Sequence, residues 1–322
     1  CVLGSLVFGW VTDTLYRSRY HAWVAIVTKV AAAVIVGFVV NFLTQILAPG
    51  AWWPVAVYIP VVGYWAWKHG QSRYFQGNWK APDADLKGWV LLFFWGFLTH
   101  VLLDCCTTFG TQIFAPFSNQ RVAWGTVSVV DPLYTLPFLG CLLMAARFAR
   151  DHSRRRIWNG LGLVWSCAYL SLTAVNRQIV HRTFEEALQE QGRSDNRFFI
   201  TPTIFNNLLW NAVVDSGDEF LLAQYSILDE VPIAFHPVSK GYDELHNLET
   251  DETLGVLRWF SAGYFNAVRR EDGSLQLNYL RFGTFSGRAE DADDYIFRFK
   301  LRDHGLTEPY GFEVAQGGPP EE

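Results

Sequence analysis

His100 and Asp104 stand four residues apart, in and just beyond the apolar run Gly88–Leu103. That separation puts both side chains on one face of a helix, a turn apart. Neutral imidazole and carboxylate are ordinary ligands for zinc and similar divalent ions. An ionisable pair on an apolar helix is costly to keep, which marks it as a functional-site candidate. A helix-to-helix hydrogen bond that fixes packing would use the same two residues. Asp131 opens the next apolar run, so its carboxylate and that of Asp104 are expected to converge at one membrane face, with His100 a turn deeper. Asp131 also precedes Pro132, and an Asp before a proline at the first helical position is a standard N-cap. Between the two runs, Thr107–Val130 is polar, aromatic and glycine-containing. Asn119 and Arg121 are its candidates for holding an anionic group of a substrate, and a purely structural interfacial loop accounts for them equally well. The histidines at 181, 236, 246 and 304 show no ligand spacing, and the chain has no P-loop, G-x-S-x-G or H-E-x-x-H motif.

The elements that must position these residues differ between the two halves of the chain. Mean hydropathy of +0.10 and a net charge of -5 would suit a soluble enzyme. Residues 1–175, however, carry 13 Lys/Arg against 6 Asp/Glu, and residues 176–322 carry 13 against 25. A basic, Trp-rich, apolar half suits a bilayer, and an acidic half suits water. Five apolar segments, Ala22–Leu47, Ala51–Trp67, Gly88–Leu103, Pro132–Ala146 and Ile157–Val175, read as about five transmembrane spans. Cys1–Val11 is apolar but too short to span, and reads as the stub of a truncated helix. Eleven of the first half's 13 cations fall in alternate gaps, on one side if every segment spans. The positive-inside rule then places Asp104–Val130 and the acidic domain outside. Arg154-Arg155-Arg156 belongs to that pattern, so no nucleic acid partner is expected. All five cysteines lie in the first half without Cys-x-x-Cys spacing, so the acidic domain has no disulfide framework.

The second half opens on a helical pattern, with Val180, Phe184 and Leu188 on one face and Gly192 as its stop. Short β-like runs follow at 207–214, 220–228, 233–235, 263–268, 275–280 and 295–301, bounded by turn chemistry such as Asp215-Ser216-Gly217-Asp218. A short helix is expected near Thr253–Trp259, and the residues from 306 on read as a disordered tail. The expectation is an α-helical transmembrane bundle of about five spans plus an N-terminal stub, followed by an α+β, mainly antiparallel β, soluble domain. Its divisions are 1–175, 176–305 and 306–322.

The block HVLLDCCTTFGTQIFAPFSNQRVAWGTVSVVDPLYTLPFL, from His100, resembles the YdjM-type family of bacterial inner-membrane metal-dependent hydrolases. The similarity continues through WNGLGLVWSCAYLSLTAVNR, RFFITPTIFNNLLWNAVV, LRWFSAGYFNAV and LRFG. The resemblance implies a multi-pass inner-membrane protein with a divalent metal ion, zinc, held by His and Asp on bundled helices. His100 and Asp104 would be metal ligands, with Asp104 and Asp131 serving catalysis. A metal-bound water would attack a lipid-linked or envelope ester or phosphoester, with membrane lipids as partners. Members of the family carry an Asp motif and a His-Arg-x-x-Thr-His motif upstream. Here the chain is expected to begin just after the latter, which leaves ligands missing and the activity of this chain open. The rival expectation is a non-catalytic membrane anchor that presents the C-terminal domain to a partner.

Overall fold

The computed structural model describes residues 1–47, 53–70, 82–248, 252–270, 273–289, 291–302 and 311–316. The chain divides into two compact units, Cys1–Val101 and Leu102–Glu322. The expected division at 175/176 falls within helix Ser153–Glu190.

The first unit is helical: α1 (Val2–Arg17), α2 (His21–Leu47), α3 (Trp53–Gly70) and the larger part of α4 (Leu86–Cys106). Small residues let these helices approach where apolar side chains gain little from leaving lipid. On α1, a Cβ at Gly9 would lie 2.6 Å from Val90 of α4. Around that contact Phe8 packs against Phe93 and Phe97, and Tyr16 stacks on Trp89 at 5.2 Å. Likewise Gly37 of α2 admits the ring of Tyr58 from α3, whose hydroxyl donates to the Ala33 carbonyl at 2.6 Å.

Among the described residues two helices are long and apolar enough to cross a membrane, α2 through its His21–Phe38 stretch and α4. This corrects the expectation of about five spans, and the reasons are physical. The run Ala51–Trp67 lies mostly in α3, which contains Pro60 and ends on the polar Lys68-His69, and its first two residues are outside the described ones. Helix α5 (Pro132–Ala146) has 15 residues, about 22 Å of rise against a hydrocarbon core of about 30 Å. Ile157–Val175 is one part of α6 (Ser153–Glu190), which opens on three arginines and continues into the polar half of the chain.

In the second unit α5 packs along α6, joined by a 2.8 Å hydrogen bond between the Tyr134 and Ser166 hydroxyls. Two four-stranded antiparallel sheets follow. The first runs in sequence order through β1 (Phe198–Pro202), β2 (Leu209–Ser216), β3 (Glu219–Ser226) and β4 (His236–Ser239). Both of its outer strands carry a proline, Pro202 and Pro237, where a missing N–H costs the ladder least. The second sheet contains β5 (Phe265–Arg269), β6 (Leu275–Tyr279), β7 (Phe297–Arg302) and β8 (Gly311–Gln316). Strand β8 falls within the tail expected from 306; residues 303–310 and 317–322 lie outside the described ones. A 3-10 turn, Tyr242–Leu248, and helix α7 (Glu252–Ser261) cross one face of the second sheet.

Three apolar layers hold this unit together. Val180 and Phe184, on the α6 face read from the sequence, bury against Ile200, Trp210, Ala212 and Ala223 of the first sheet. The other face of that sheet offers Val213, Phe220 and Leu222 to Tyr264, Leu280 and Tyr295 from the second. Leu254 and Leu257 of α7 then cover Phe265, Leu275 and Leu277. The sheets also meet through backbone: Ala267 N–H donates to the Lys240 carbonyl at 2.9 Å. Gly241 sits beside that junction at φ 61°, and any side chain there would overlap the Ala267 carbonyl.

Candidate functional site

Helix α4 carries His100, which is exposed, and Asp104, which is half-buried, at the one-turn spacing read from the sequence. Two residues after Asp104 the helix ends, and the last carbonyls of α4 are taken up by the loop that follows. Trp124 N–H donates to Cys105 O at 2.7 Å, and Thr126 and Val127 N–H donate to Cys106 O at 2.7 and 3.1 Å. Cys105 is buried. The loop thus folds back over the helix end and satisfies acceptors a helix terminus would otherwise leave open.

Asp131 caps α5, as an Asp-Pro start predicts. Its Oδ1 accepts from Leu133 N–H at 3.0 Å and Tyr134 N–H at 3.2 Å. The other oxygen, Oδ2, accepts the Tyr169 hydroxyl of α6 at 2.7 Å, and the residue is 2 % exposed. One carboxylate therefore starts one helix and ties it to its neighbour.

Asn119 and Arg121 face α7. The Asn119 carbonyl accepts from Trp259 Nε1 at 3.2 Å and from Gln112 Nε2 at 3.2 Å. The Arg121 guanidinium lies over the rings of Trp259 and Phe260, 5.2 and 4.9 Å from their centroids, and over Phe109 at 5.6 Å. It also donates to the Phe260 carbonyl. A flat cation among aromatic faces is held both electrostatically and by stacking.

Sequence reasoning missed the residue that completes this arrangement, Arg281, which lies in the LRFG block at the 3-10 turn Leu280–Phe282. Its guanidinium, 4 % exposed, sits 4.2 Å over Phe199 and donates to the Thr108 carbonyl at 3.1 Å and the Tyr279 hydroxyl at 3.3 Å. Tyr279 in turn donates to Phe260 O at 3.1 Å, the carbonyl that Arg121 also uses. Burial pulls Arg281 below the ordinary guanidinium value, and the Tyr279 oxygen pushes it back up. Thr108 and Thr201 share a hydroxyl–hydroxyl contact, and Asn207 Nδ2 donates to Thr126 O at 2.7 Å. Four residues of the α4–α5 loop, Thr108, Asn119, Arg121 and Thr126, are thereby bonded into the two-sheet domain. The one signal available beforehand was the LRFG block itself, a charged residue between apolar ones ahead of a glycine.

A protein-held divalent ion takes three or more donors. His100 and Asp104 provide two, and among the described residues no group of three His, Cys, Asp or Glu side chains is placed to hold a metal. The donor set does not fit a metal centre, and no step through a metal follows from it. Of the C-terminal histidines, His181 pairs with Glu185 on α6 at 3.3 Å and His236 lies on an outer strand; His304 lies outside the described residues.

No curated protein and no solved structure gives a match to the chain. A family model does, over residues 30–180, which include α4, the loop after it, α5 and much of α6; the similar blocks after 180 lie beyond it. Residues 30–180, with His100, Asp104 and Asp131 among them, match the model of the family described as YdjM inner membrane protein.

Proposed function

We propose that the chain is a membrane-bound hydrolase that acts on a lipid-linked or envelope ester or phosphoester at the membrane face. The observation that carries this is the His100–Asp104 pair on one turn of α4, a helix apolar enough to span. An apolar helix has little structural use for two ionisable groups. The His100 imidazole is suited to take a proton from an attacking water, and a carboxylate one turn on orients the ring and offsets its gained charge. The cation pattern of the first half supports an outer-face location for the C-terminal domain. Equilibrium dialysis of the purified chain against zinc tests whether the pair also serves as metal ligands. Retention of one equivalent that disappears in His100→Ala and Asp104→Ala is expected if it does; the same retention in both variants would remove the pair from any metal site.

A second reading, a non-catalytic anchor that presents the two-sheet domain to a partner, is favoured by a specific observation. Asp131, Asn119 and Arg121 all make contacts that fix architecture. In that case His100 is dispensable, whereas Arg121 and Arg281 are not.

A further inference from the structure

We infer that one end of the first sheet is built to lie in the lipid headgroup layer, so that the two-sheet domain rests on the bilayer holding the α5–α6 pair. This depends on the membrane-bound reading above, and specifically on α5 and the first half of α6 being embedded.

The strands of the first sheet run alongside the second half of α6. At one end, Asn176 Nδ2 donates to Asn207 Oδ1 at 2.9 Å. At the other, Arg193 donates to the Ser216 hydroxyl at 2.9 Å. Helix α5 begins at the Asn176 end, because Asp131 binds Tyr169 and Val130 O accepts from Phe205 N–H at 3.2 Å. Along α6, Leu161, Val164, Leu172 and Val175 are exposed, whereas Val180, Phe184 and Leu188 are buried under the sheet. The exposed apolar residues of α6 therefore run out within one turn of Asn176, at Ile179, where the folded domain begins.

At that level the β1–β2 turn exposes Ile204, Phe205 and Leu208. Leu228, 75 % exposed, lies beside them, since Ile227 N–H donates to Leu208 O at 3.0 Å. The opposite end of the same strands is the hairpin Asp215-Ser216-Gly217-Asp218-Glu219, which is wholly polar. The near end thus displays four large apolar side chains beside the acidic pair Asp229 and Glu230, and the far hairpin displays no apolar side chain.

The apolar turn is also held in an unfavourable shape. Phe205 has φ 71°, in the left-handed region that a bulky residue rarely adopts. Asn206 holds the turn, accepting from Leu208 and Leu209 N–H at 2.9 and 2.8 Å and donating to the Thr203 hydroxyl at 2.7 Å. Aromatic and aliphatic side chains displayed in this way, continuous with apolar helix rows, suit the interface between headgroups and chains. Their continuity with the helix rows makes lipid, rather than a protein partner, the occupant.

The test uses the full chain in vesicles of phosphatidylethanolamine and phosphatidylglycerol, with its five native cysteines replaced. A nitroxide is placed singly at Leu208→Cys, Leu228→Cys, Leu139→Cys on the exposed side of α5, or Asp218→Cys at the polar hairpin. Collision with oxygen, which concentrates in lipid, is compared with collision with a water-soluble nickel chelate. The labels at 208 and 228 should give an oxygen-to-nickel ratio several-fold above that at 218 and closer to that at 139. If 208 and 228 match 218 while 139 reports lipid, this inference fails and the embedded helix pair stands. If 139 also matches 218, both fail. Labels at 208 and 228 shielded from both reagents would show a protein contact there, and would overturn the lipid assignment.

Discussion

Asp131 has both carboxylate oxygens engaged, one by the first turn of α5 and one by Tyr169. Asparagine caps a helix about as well as aspartate, so Asp131→Asn should keep the unfolding midpoint in detergent close to that of the parent. Asp131→Ala removes the cap and the acceptor of a buried hydroxyl, and should cost about 1–3 kcal/mol. Unfolding of the Asn variant under conditions that spare the parent would show that the charge itself is needed. A different carboxylate governs acid sensitivity. Asp293 receives both terminal nitrogens of Arg270, at 2.6 and 3.0 Å, and lies against Arg298. The Arg270 hydrogen bonds, followed by the Arg298 charge, hold its carboxyl below the ordinary range. A depressed folded-state value means the contribution is complete above the unfolded value of about 4 and fades as pH falls through the folded one. Asp293→Asn should therefore be less stable than the parent at neutral pH, and the two melting curves should converge in acid. A gap that widens in acid would contradict the assignment.

At the scale of elements, what the sequence made legible was whatever repeats locally. Val180, Phe184 and Leu188 announced the buried face of α6, and Asp215-Ser216-Gly217-Asp218 announced the β2–β3 turn. Strand β1 was not read, because it is short, ends in Pro202 and owes its place to pairing with β2. Strand β8 was read as tail, since only its register with β7 makes it a strand. Membrane spans were over-counted because apolar composition does not fix length: α5 is apolar throughout, yet its 15 residues fall short of the bilayer core. The site shows the same division. Asn119 and Arg121 could be singled out in advance, but not the contact with α7, since Trp259, which donates to the Asn119 backbone carbonyl, is 140 residues away. Lysine keeps the charge of Arg121 without its planar stacking. Arg121→Lys should release the α4–α5 loop from α7, costing about 1 kcal/mol and increasing protease cleavage within 107–130. An unchanged cleavage rate would mean the aromatic cage does not hold the loop.

For the whole molecule the residues fall into two sets. Asp131, Arg121, Arg281 and Thr108 hold the loop after α4, the α5–α6 pair and the two sheets together as one unit. His100 and Asp104, on a helix that meets the span criterion within the segment matching the YdjM inner membrane protein family, form the set proposed to carry chemistry. The measurement that separates the sets most directly is hydrolysis of a chromogenic phosphodiester by the purified chain in lipid nanodiscs. Parent, His100→Ala, Asp104→Ala and Asp131→Asn are compared after each is shown to be folded. Loss of a positioned acid–base group should lower turnover by about 100-fold or more in the first two variants, while Asp131→Asn stays near the parent. Turnover that survives His100→Ala and Asp104→Ala, or that is absent from the folded parent, would contradict the proposal and leave the anchor as the reading that stands.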